Sequence, residues 1–230
     1  MEIHTTQNPA KTLGEKLTEI INNHSGDTLC LLAGGSSLDV VEFIQPTYKP
    51  ECRTIFVMGD ERVSGEPSVN NYLQLEARYP DFRILKHTIN TTASNRERPT
   101  EFAKRIAVEI EKNISQSKNL KIISLLGVGG DGHIAGIFPM DRADFNDTYP
   151  HDQMYVPVTL EGLERNFRAT FTPNWILNNV TELFVYAQGE SKLDILYMLT
   201  SENKSNHERP AEIIKQHMSA HIYTDQTMHA

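Results

Sequence analysis

The sequence predicts an α/β fold built on one doubly wound, mostly parallel sheet with helices on both faces, a Rossmann-like arrangement. Three observations carry that expectation. Short, wholly apolar runs recur along the chain, as strands buried on both faces require. Between them lie stretches with apolar residues three or four apart, the period of an amphipathic helix. Glycine-rich or charged turns follow several of the apolar runs, which is where open parallel sheets bind ligands.

The elements read in order as follows. Residues 9–24 carry Leu13, Leu17, Ile20 and Ile21 at helical spacing. Residues 29–33 are a buried strand, Gly34-Gly35-Ser36-Ser37 a turn, and Leu38, Val41 and Ile44 resume a helix that Pro46 and Pro50 end. Thr54-Ile55-Phe56-Val57-Met58 is a second buried strand, closed by Gly59-Asp60-Glu61-Arg62, and residues 64–71 read as loop. Ile84-Leu85 is a short strand candidate. Phe102, Ile106, Ile110 and Ile114 recur every four residues and predict a helix over 100–114, with Thr100 as N-cap. Ile122-Ile123-Ser124-Leu125-Leu126 is the next buried strand and runs into a glycine-rich loop. Residues 141–153 are polar and read as loop. Residues 155–159 and 168–172 read as strands, Trp175, Ile176 and Asn179 as part of a short helix, and Leu183-Phe184-Val185-Tyr186-Ala187 as another buried strand. Helices over 192–199 and 210–217 and a strand over 220–223 complete the chain.

At 230 residues, the chain is long enough for one large domain or two small ones, and with no repeat and no low-complexity linker a single domain over residues 1–230 is the simplest account. Hydrophobic residues at 39% and charged residues at 23% are a globular balance, neither disordered nor membranous. The formal net charge of −8 argues against a general nucleic-acid binder, so an anionic ligand would need a local cationic site. Cys30 lies in an apolar run and reads as a core thiol, and neither it nor Cys52 has zinc-ligand spacing to histidine. The first residues have neither the basic start nor the apolar core of a signal peptide, and no apolar stretch approaches the roughly 18 residues that span a bilayer. No membrane partner and a cytoplasmic location are the default expectations.

Four post-strand segments could carry chemistry. Gly34-Gly35-Ser36-Ser37 offers close backbone approach, helix-start N–H groups and hydroxyl donors, a combination suited to phosphate; it would serve equally as a tight turn with a serine N-cap. Asp60-Glu61-Arg62 could orient a sugar hydroxyl or a water and clamp a phosphate, or form a surface ion cluster. Gly127-Val128-Gly129-Gly130-Asp131-Gly132-His133 matches G-x-G-x-x-G, but Pro139 interrupts the helix a dinucleotide site needs, and the region near residue 150, where a strand ending in an acidic residue is wanted, is polar loop. The same loop can bend Asp131 and His133 into one pocket. Imidazoles titrate near neutrality and can take a proton from water, and a neighbouring carboxylate fixes their tautomer. Lys192, after Gly189-Glu190-Ser191, and Arg168 are cations at strand ends that could assist.

These segments, in this order, resemble the 6-phosphogluconolactonase family within the glucosamine-6-phosphate isomerase/lactonase superfamily. Leu126-Gly127-Val128-Gly129-Gly130-Asp131-Gly132-His133-Ile134-Ala135-Gly136-Ile137-Phe138-Pro139 is similar to the family's L-G-x-G-x-D-G-H-x-A-S-L-F-P. Asp60-Glu61-Arg62 resembles its D-E-R and Asn71-Tyr72 the N-Y that follows. Gly34-Gly35-Ser36 resembles the start of G-G-S-T-P, Arg168-Ala169-Thr170 its R-I-T, Gly189-Glu190-Ser191-Lys192 its G-x-x-K, and Pro210-Ala211 its late P-A. Ser37-Leu38 departs from T-P, Gly136-Ile137 from S-L, Asn70 from a usual serine, and Gly65-Glu66 shortens an acidic loop.

The resemblance implies hydrolysis of 6-phospho-D-glucono-1,5-lactone to 6-phosphogluconate, a step of the oxidative pentose phosphate pathway, without metal or organic cofactor. It makes His133 the general base, with Asp131 beside it and Asp60 holding hydroxyls or water. Gly34, Gly35, Ser36, Ser37, Arg62 and Lys192 bind the phosphate, with Arg168 as a helper. The partner is then a phosphorylated sugar lactone; monomer and homodimer both remain open. The nearest rival is glucosamine-6-phosphate deaminase, whose similar loop has a glutamate where this chain has Phe138. A non-catalytic sugar-phosphate sensor would bring a DNA-binding segment, for which one helix before residue 28 is too little.

Overall fold

The computed structural model describes residues 1–80, 85, 87–94, 97–160 and 167–228. Six strands form a wholly parallel sheet: β1 (Glu2–Thr5), β2 (Thr28–Leu32), β3 (Thr54–Met58), β5 (Lys121–Gly127), β8 (Glu182–Ala187) and β9 (Ala220–Thr224). Their spatial order is β1-β9-β8-β5-β2-β3, so the chain reverses its direction of growth between β2 and β5. In open α/β sheets the crevice at such a reversal is the ordinary ligand site.

Side chains alternate across the sheet, as strand geometry demands. Leu29, Leu31, Ile55, Val57, Ile122, Leu126, Leu183 and Val185 join one core. Cys30, Leu32, Phe56, Met58, Ile123, Leu125, Phe184 and Tyr186 join the other. Helix α1 (Pro9–Asn23) lays Leu13, Leu17 and Ile21 on the second core, with the short α2 (Leu38–Val41) and Leu75 of α3 (Asn71–Arg78). Helix α4 (Pro99–Ser115) lays Phe102, Ile106 and Ile110 on the first, where α6 (Pro173–Asn179), α7 (Leu193–Ser201) and α8 (Glu212–Gln216) also contribute. The doubly wound arrangement anticipated from the apolar runs is therefore present. Helix α1 starts where Asn8 Oδ1 accepts the Lys11 N–H at 3.0 Å and Pro9 sits at the first turn.

Four places differ from the sequence expectation. Asp60–Arg62 forms a strand, β4, which pairs antiparallel with β7 (Phe167–Phe171), itself paired with β6 (Tyr155–Thr159). This second, three-stranded sheet packs on α4. Polar residues 141–153 contain a helix, α5 (Arg142–Thr148), which buries only Phe145. The first residues form the edge strand β1, with an alternation too polar to announce it. Of the strand expected at Ile84-Leu85, Ile84 lies outside the described residues and Leu85 is not in a strand. No helix is long and apolar enough to cross a membrane among the described residues.

Candidate active site

The loops after β2, β3, β5 and β8 lie at the carboxyl ends of four neighbouring parallel strands. Parallel pairing brings them to one rim, so the segments singled out in the sequence converge there.

The loop after β5 is folded around His133. Gly129 N–H donates to the His133 carbonyl at 2.9 Å, and Gly132 N–H to the Gly129 carbonyl at 3.0 Å. Gly132 has φ +86°, a conformation side chains disfavour. Any Cβ at Gly132 would also meet the stem of Arg209 at 2.7 Å. His133 Nδ1 lies 2.6 Å from Asp131 Oδ1, which also accepts the His133 backbone N–H at 3.2 Å. The ring stacks on Phe138, with centroids 4.9 Å apart. Its side chain is 36% exposed, so the imidazole reaches solvent while one nitrogen is held. Burial pushes the Asp131 carboxyl upward, but the His133 charge and hydrogen bonds outweigh it and leave the group below its ordinary range.

Supports for this loop come from distant parts of the chain. Thr170 Oγ1 accepts the Gly136 N–H, and Tyr149 Oη donates to the Gly136 carbonyl while accepting the Phe138 N–H at 3.0 Å. Arg209 is buried behind Gly132, where its Nε donates to Glu212 at 2.7 Å and its Nη1 pairs with Glu202 at 3.3 Å.

Strand β4 is anchored by Glu61, which is wholly buried. Its two carboxylate oxygens accept from the N–H groups of Arg62, Asn71 and Tyr72 and from the Thr91 hydroxyl, at 2.6–3.0 Å. The carboxylate thus caps the start of α3, together with Asn70 Oδ1 on the Leu73 N–H. Burial pushes the Glu61 pKa up to about 8 against these four donors. With Glu61 turned inward, strand alternation leaves Asp60 and Arg62 on the other face. Burial raises the Asp60 pKa, and the charges of Arg168, Arg62 and His133 oppose the rise in part.

Arg62 and Arg168 are direct partners in the β4–β7 register. Arg62 Nη1 reaches the Val69 carbonyl at 3.5 Å. Arg168 Nη1 is buried and makes no hydrogen bond. Burial and the Arg62 charge lower the Arg168 pKa, against Asp60 and Glu61.

Gly34 passes so close to Asn71 that a Cβ would stand 2.4 Å from its amide. Gly35 has φ +61° and, like Ser36, is exposed at the rim. Ser37 is buried, and Gly127 faces it: a Cβ at Gly127 would come within 3.1 Å of Ser37 Oγ. Of this loop, then, Gly35 and Ser36 face outward and Ser37 faces in. Lys192 closes a 3-10 turn, Glu190–Lys192, rather than standing inside a helix, and its Nζ donates to the Val128 carbonyl of the histidine loop at 2.7 Å.

Sequence reading passed over Asn71, Glu61 and Arg209 as working parts of the site. Asn71 Nδ2 donates to the Asp60 carbonyl at 3.1 Å and its Oδ1 is buried without a partner. The Asn71-Tyr72 and Pro210-Ala211 likenesses pointed at two of these places without giving the side chains a task. Among the described residues, no His, Cys, Asp or Glu trio converges at this rim to hold a metal. A cavity of about 1340 Å³ lies elsewhere, beside edge strand β3, lined by residues such as Tyr48, Arg53, Phe56 and Ile106.

The family described as glucosamine-6-phosphate isomerases/6-phosphogluconolactonase matches residues 3–223. The chain belongs to this family. Among solved structures of the same fold is 6-phosphogluconolactonase from Plasmodium vivax, at TM-score 0.76 and 17% identity, covering 99% of this chain and 89% of that one. The corresponding enzyme from Thermotoga maritima superposes at TM-score 0.72 with 19% identity, over 97% of this chain and 98% of that one. A monomeric glucosamine-6-phosphate deaminase superposes equally well, at TM-score 0.75 and 16% identity, with 98% of both chains covered. No curated protein sequence matches this chain. At these identities the likeness fixes the family's fold, while the reaction has to be argued from the site.

Proposed function

We propose that this chain hydrolyses 6-phospho-D-glucono-1,5-lactone to 6-phosphogluconate, in the cytosol, with His133 as general base. The observations that support the reading are a solvent-reaching imidazole tethered by Asp131 and, on the adjoining sheet, two arginines paired across β4 and β7, one of which has a buried Nη1 that makes no hydrogen bond. Facing guanidinium groups repel one another unless an anion sits between them. A phosphate there would hold the sugar ring against the rim, with Ser36 and Lys192 as further donors.

The chemistry then needs one activated water. With Nδ1–H directed at Asp131, Nε2 of His133 carries the lone pair and takes a proton as the water oxygen attacks the lactone carbonyl. The carbonyl π electrons move to oxygen and form a tetrahedral oxyanion near the cationic rim. When the oxyanion collapses, the bond to the ring oxygen breaks and that oxygen receives the proton from His133. The products are a ring-opened hydroxyl and a carboxylic acid, which ionises to 6-phosphogluconate. Asp60, at the rim just past β3, orients a substrate hydroxyl or the water.

The deaminase reading keeps the same fold. Against it stands the contact of Phe138 with the His133 ring, at the place where the rival's loop carries a glutamate. Lactone opening followed against its spontaneous background tests the proposal. Acceleration that disappears in His133→Ala supports it. Release of ammonia from glucosamine 6-phosphate, with no lactone acceleration, would replace it with the rival.

A further inference from the structure

At the opposite rim of the sheet, three side chains with metal-ligating atoms converge. Glu2 and His4 lie on the same face of edge strand β1, and His221 lies on the neighbouring β9 opposite Glu2. His4 Nε2 and His221 Nδ1 are 3.2 Å apart, Glu2 Oε2 is 3.3 Å from His221 Nδ1, and 3.7 Å separates it from His4 Nε2. The active-site rim is at the other end of these strands: Asp225, just past β9, binds the Gly189 N–H at 2.8 Å. Four residues of strand, about 13 Å, separate Asp225 from His221.

We infer that Glu2, His4 and His221 form a binding site for a divalent transition-metal ion of the zinc class, through Glu2 Oε2, His4 Nε2 and His221 Nδ1. Zinc takes imidazole nitrogen and carboxylate oxygen at about 2.0–2.2 Å in tetrahedral geometry, which sets neighbouring ligand atoms roughly 3.3–3.5 Å apart. Two of the three separations here are at the short end of that spacing and the third is a few tenths of an ångström longer. The three atoms therefore outline one face of a coordination tetrahedron, with the fourth position toward solvent.

In one tautomer of His221, hydrogen bonding within the cluster leaves a deficit that a cation would fill. His221 Nε2 lies 3.3 Å from Ser219 Oγ. With that nitrogen donating to the hydroxyl, Nδ1 bears a lone pair aimed into the cluster. His4 can donate one proton to it, but the Glu2 carboxylate then faces that lone pair with no hydrogen between them. A metal ion accepts all three lone pairs at once. The outer contacts are also those that orient metal-ligating imidazoles: the Ser219 hydroxyl behind His221, and ring stacking of His4 on Tyr223 at 4.6 Å and of His221 on Phe184 at 5.4 Å. The consequence is structural. Two ligands come from β1 and one from β9, so the ion would clip the polar edge strand to the sheet.

The test uses the purified full chain freed of metal by chelator and dialysis. Calorimetric titration with Zn²⁺ is expected to show one equivalent per chain, and Co²⁺ to give the intense visible absorption of a four-coordinate ion. His133→Ala should keep both, since it belongs to the other rim. His4→Gln and the largely exposed Glu2→Gln should each weaken Zn²⁺ binding at least tenfold and abolish the Co²⁺ band, with lactone hydrolysis unchanged. Wild-type protein that takes up no Zn²⁺ at 100-micromolar metal, about the weakest affinity worth the name of a site, overturns the inference. So does an equivalent that survives undiminished in both variants, or a Co²⁺ spectrum no stronger than that of the aqueous ion.

Discussion

Arg62 and Arg168 face each other across the β4–β7 pair, and Arg168 Nη1 is buried with no acceptor. In the free protein that arrangement carries a like-charge repulsion, offset in part by Asp60 and Glu61, and an unmet donor. On the proposed reading, a substrate phosphate between the two guanidinium groups would offset both. Arg168→Met is therefore expected to raise the melting temperature of the free protein while raising KM for the phosphorylated lactone about 10–100-fold, the loss of one or two charge-assisted hydrogen bonds. Inorganic phosphate should stabilise the wild type more than the variant. A variant less stable than wild type, with unchanged KM, would mean the arginine is a structural strut.

Asp131 holds His133 by one short contact to Nδ1. Asp131→Asn keeps the size of the side chain but can present an amide N–H to that nitrogen, which selects the wrong tautomer. His133→Ala is expected to lower kcat about 10²–10⁴-fold, the usual share of a general base. Asp131→Asn should fall between it and wild type, with KM nearly constant because the proposed phosphate ligands are on other strands. Steady-state kinetics corrected for spontaneous opening give the comparison. Equal kcat in Asp131→Asn and wild type would remove Asp131 from the mechanism.

Asp27 offers a stability test apart from catalysis. It is buried at the start of β2 and accepts the Arg53 N–H at 2.7 Å, the Lys118 N–H at 3.1 Å and the Arg53 guanidinium at 3.1–3.2 Å. Burial alone would raise its pKa; the two backbone donors and Arg53 outweigh burial and lower it. Because the folded value lies below the unfolded one, the stabilisation is complete above the unfolded value of about 3.9 and is lost as pH falls through the folded value. Asp27→Ala leaves two backbone donors unmet and should cost about 2–4 kcal/mol at neutral pH. Denaturant unfolding at pH 7 and pH 3 should show the gap between variant and wild type narrowing with acid.

How much of this was readable in the chain follows from where each signal resides. The strands β2, β3, β5 and β8 are buried on both faces, so their apolar runs stand out, and α4 carries its own period in Phe102, Ile106 and Ile110. Loops after parallel strands share a rim by topology alone, so Asp60, Arg62, Asp131, His133 and Lys192 could be grouped without coordinates. What was hidden depends on partners. Strand β4 is three charged residues, and it is a strand because β7 pairs with it and because Glu61 meets four donors from residues 62–91. Helix α5 buries one side chain, too few to set a period. Nothing in the sequence gives Arg209 a role; its place shows only once Gly132 is found against its stem. Ser37, grouped with Ser36 by sequence, turns inward because the chain has already entered a 3-10 turn at Gly35.

Gly129 gives the sharpest test of how the histidine is placed. A Cβ there would stand 2.1 Å from His133 Nδ1 and 2.5 Å from Asp131 Oδ1, pressed against both of the atoms whose contact orients the ring. The loop cannot simply back away, because Gly129 itself donates to the His133 carbonyl and accepts from Gly132. The flexible side of the clash is the imidazole, which would swing from Asp131 and lose its alignment with the incoming water. Gly129→Ala is thus expected to reduce kcat about 100-fold, the effect of moving a catalytic group by roughly 1 Å. KM should hold within about threefold, since the uniform binding proposed for the arginines is untouched. Overpacking of this kind should also cost about 1–3 kcal/mol of stability. Kinetics and thermal unfolding measured on the same preparation separate the two effects: a destabilised variant with wild-type kcat would show that His133 need not be held by Asp131 to act.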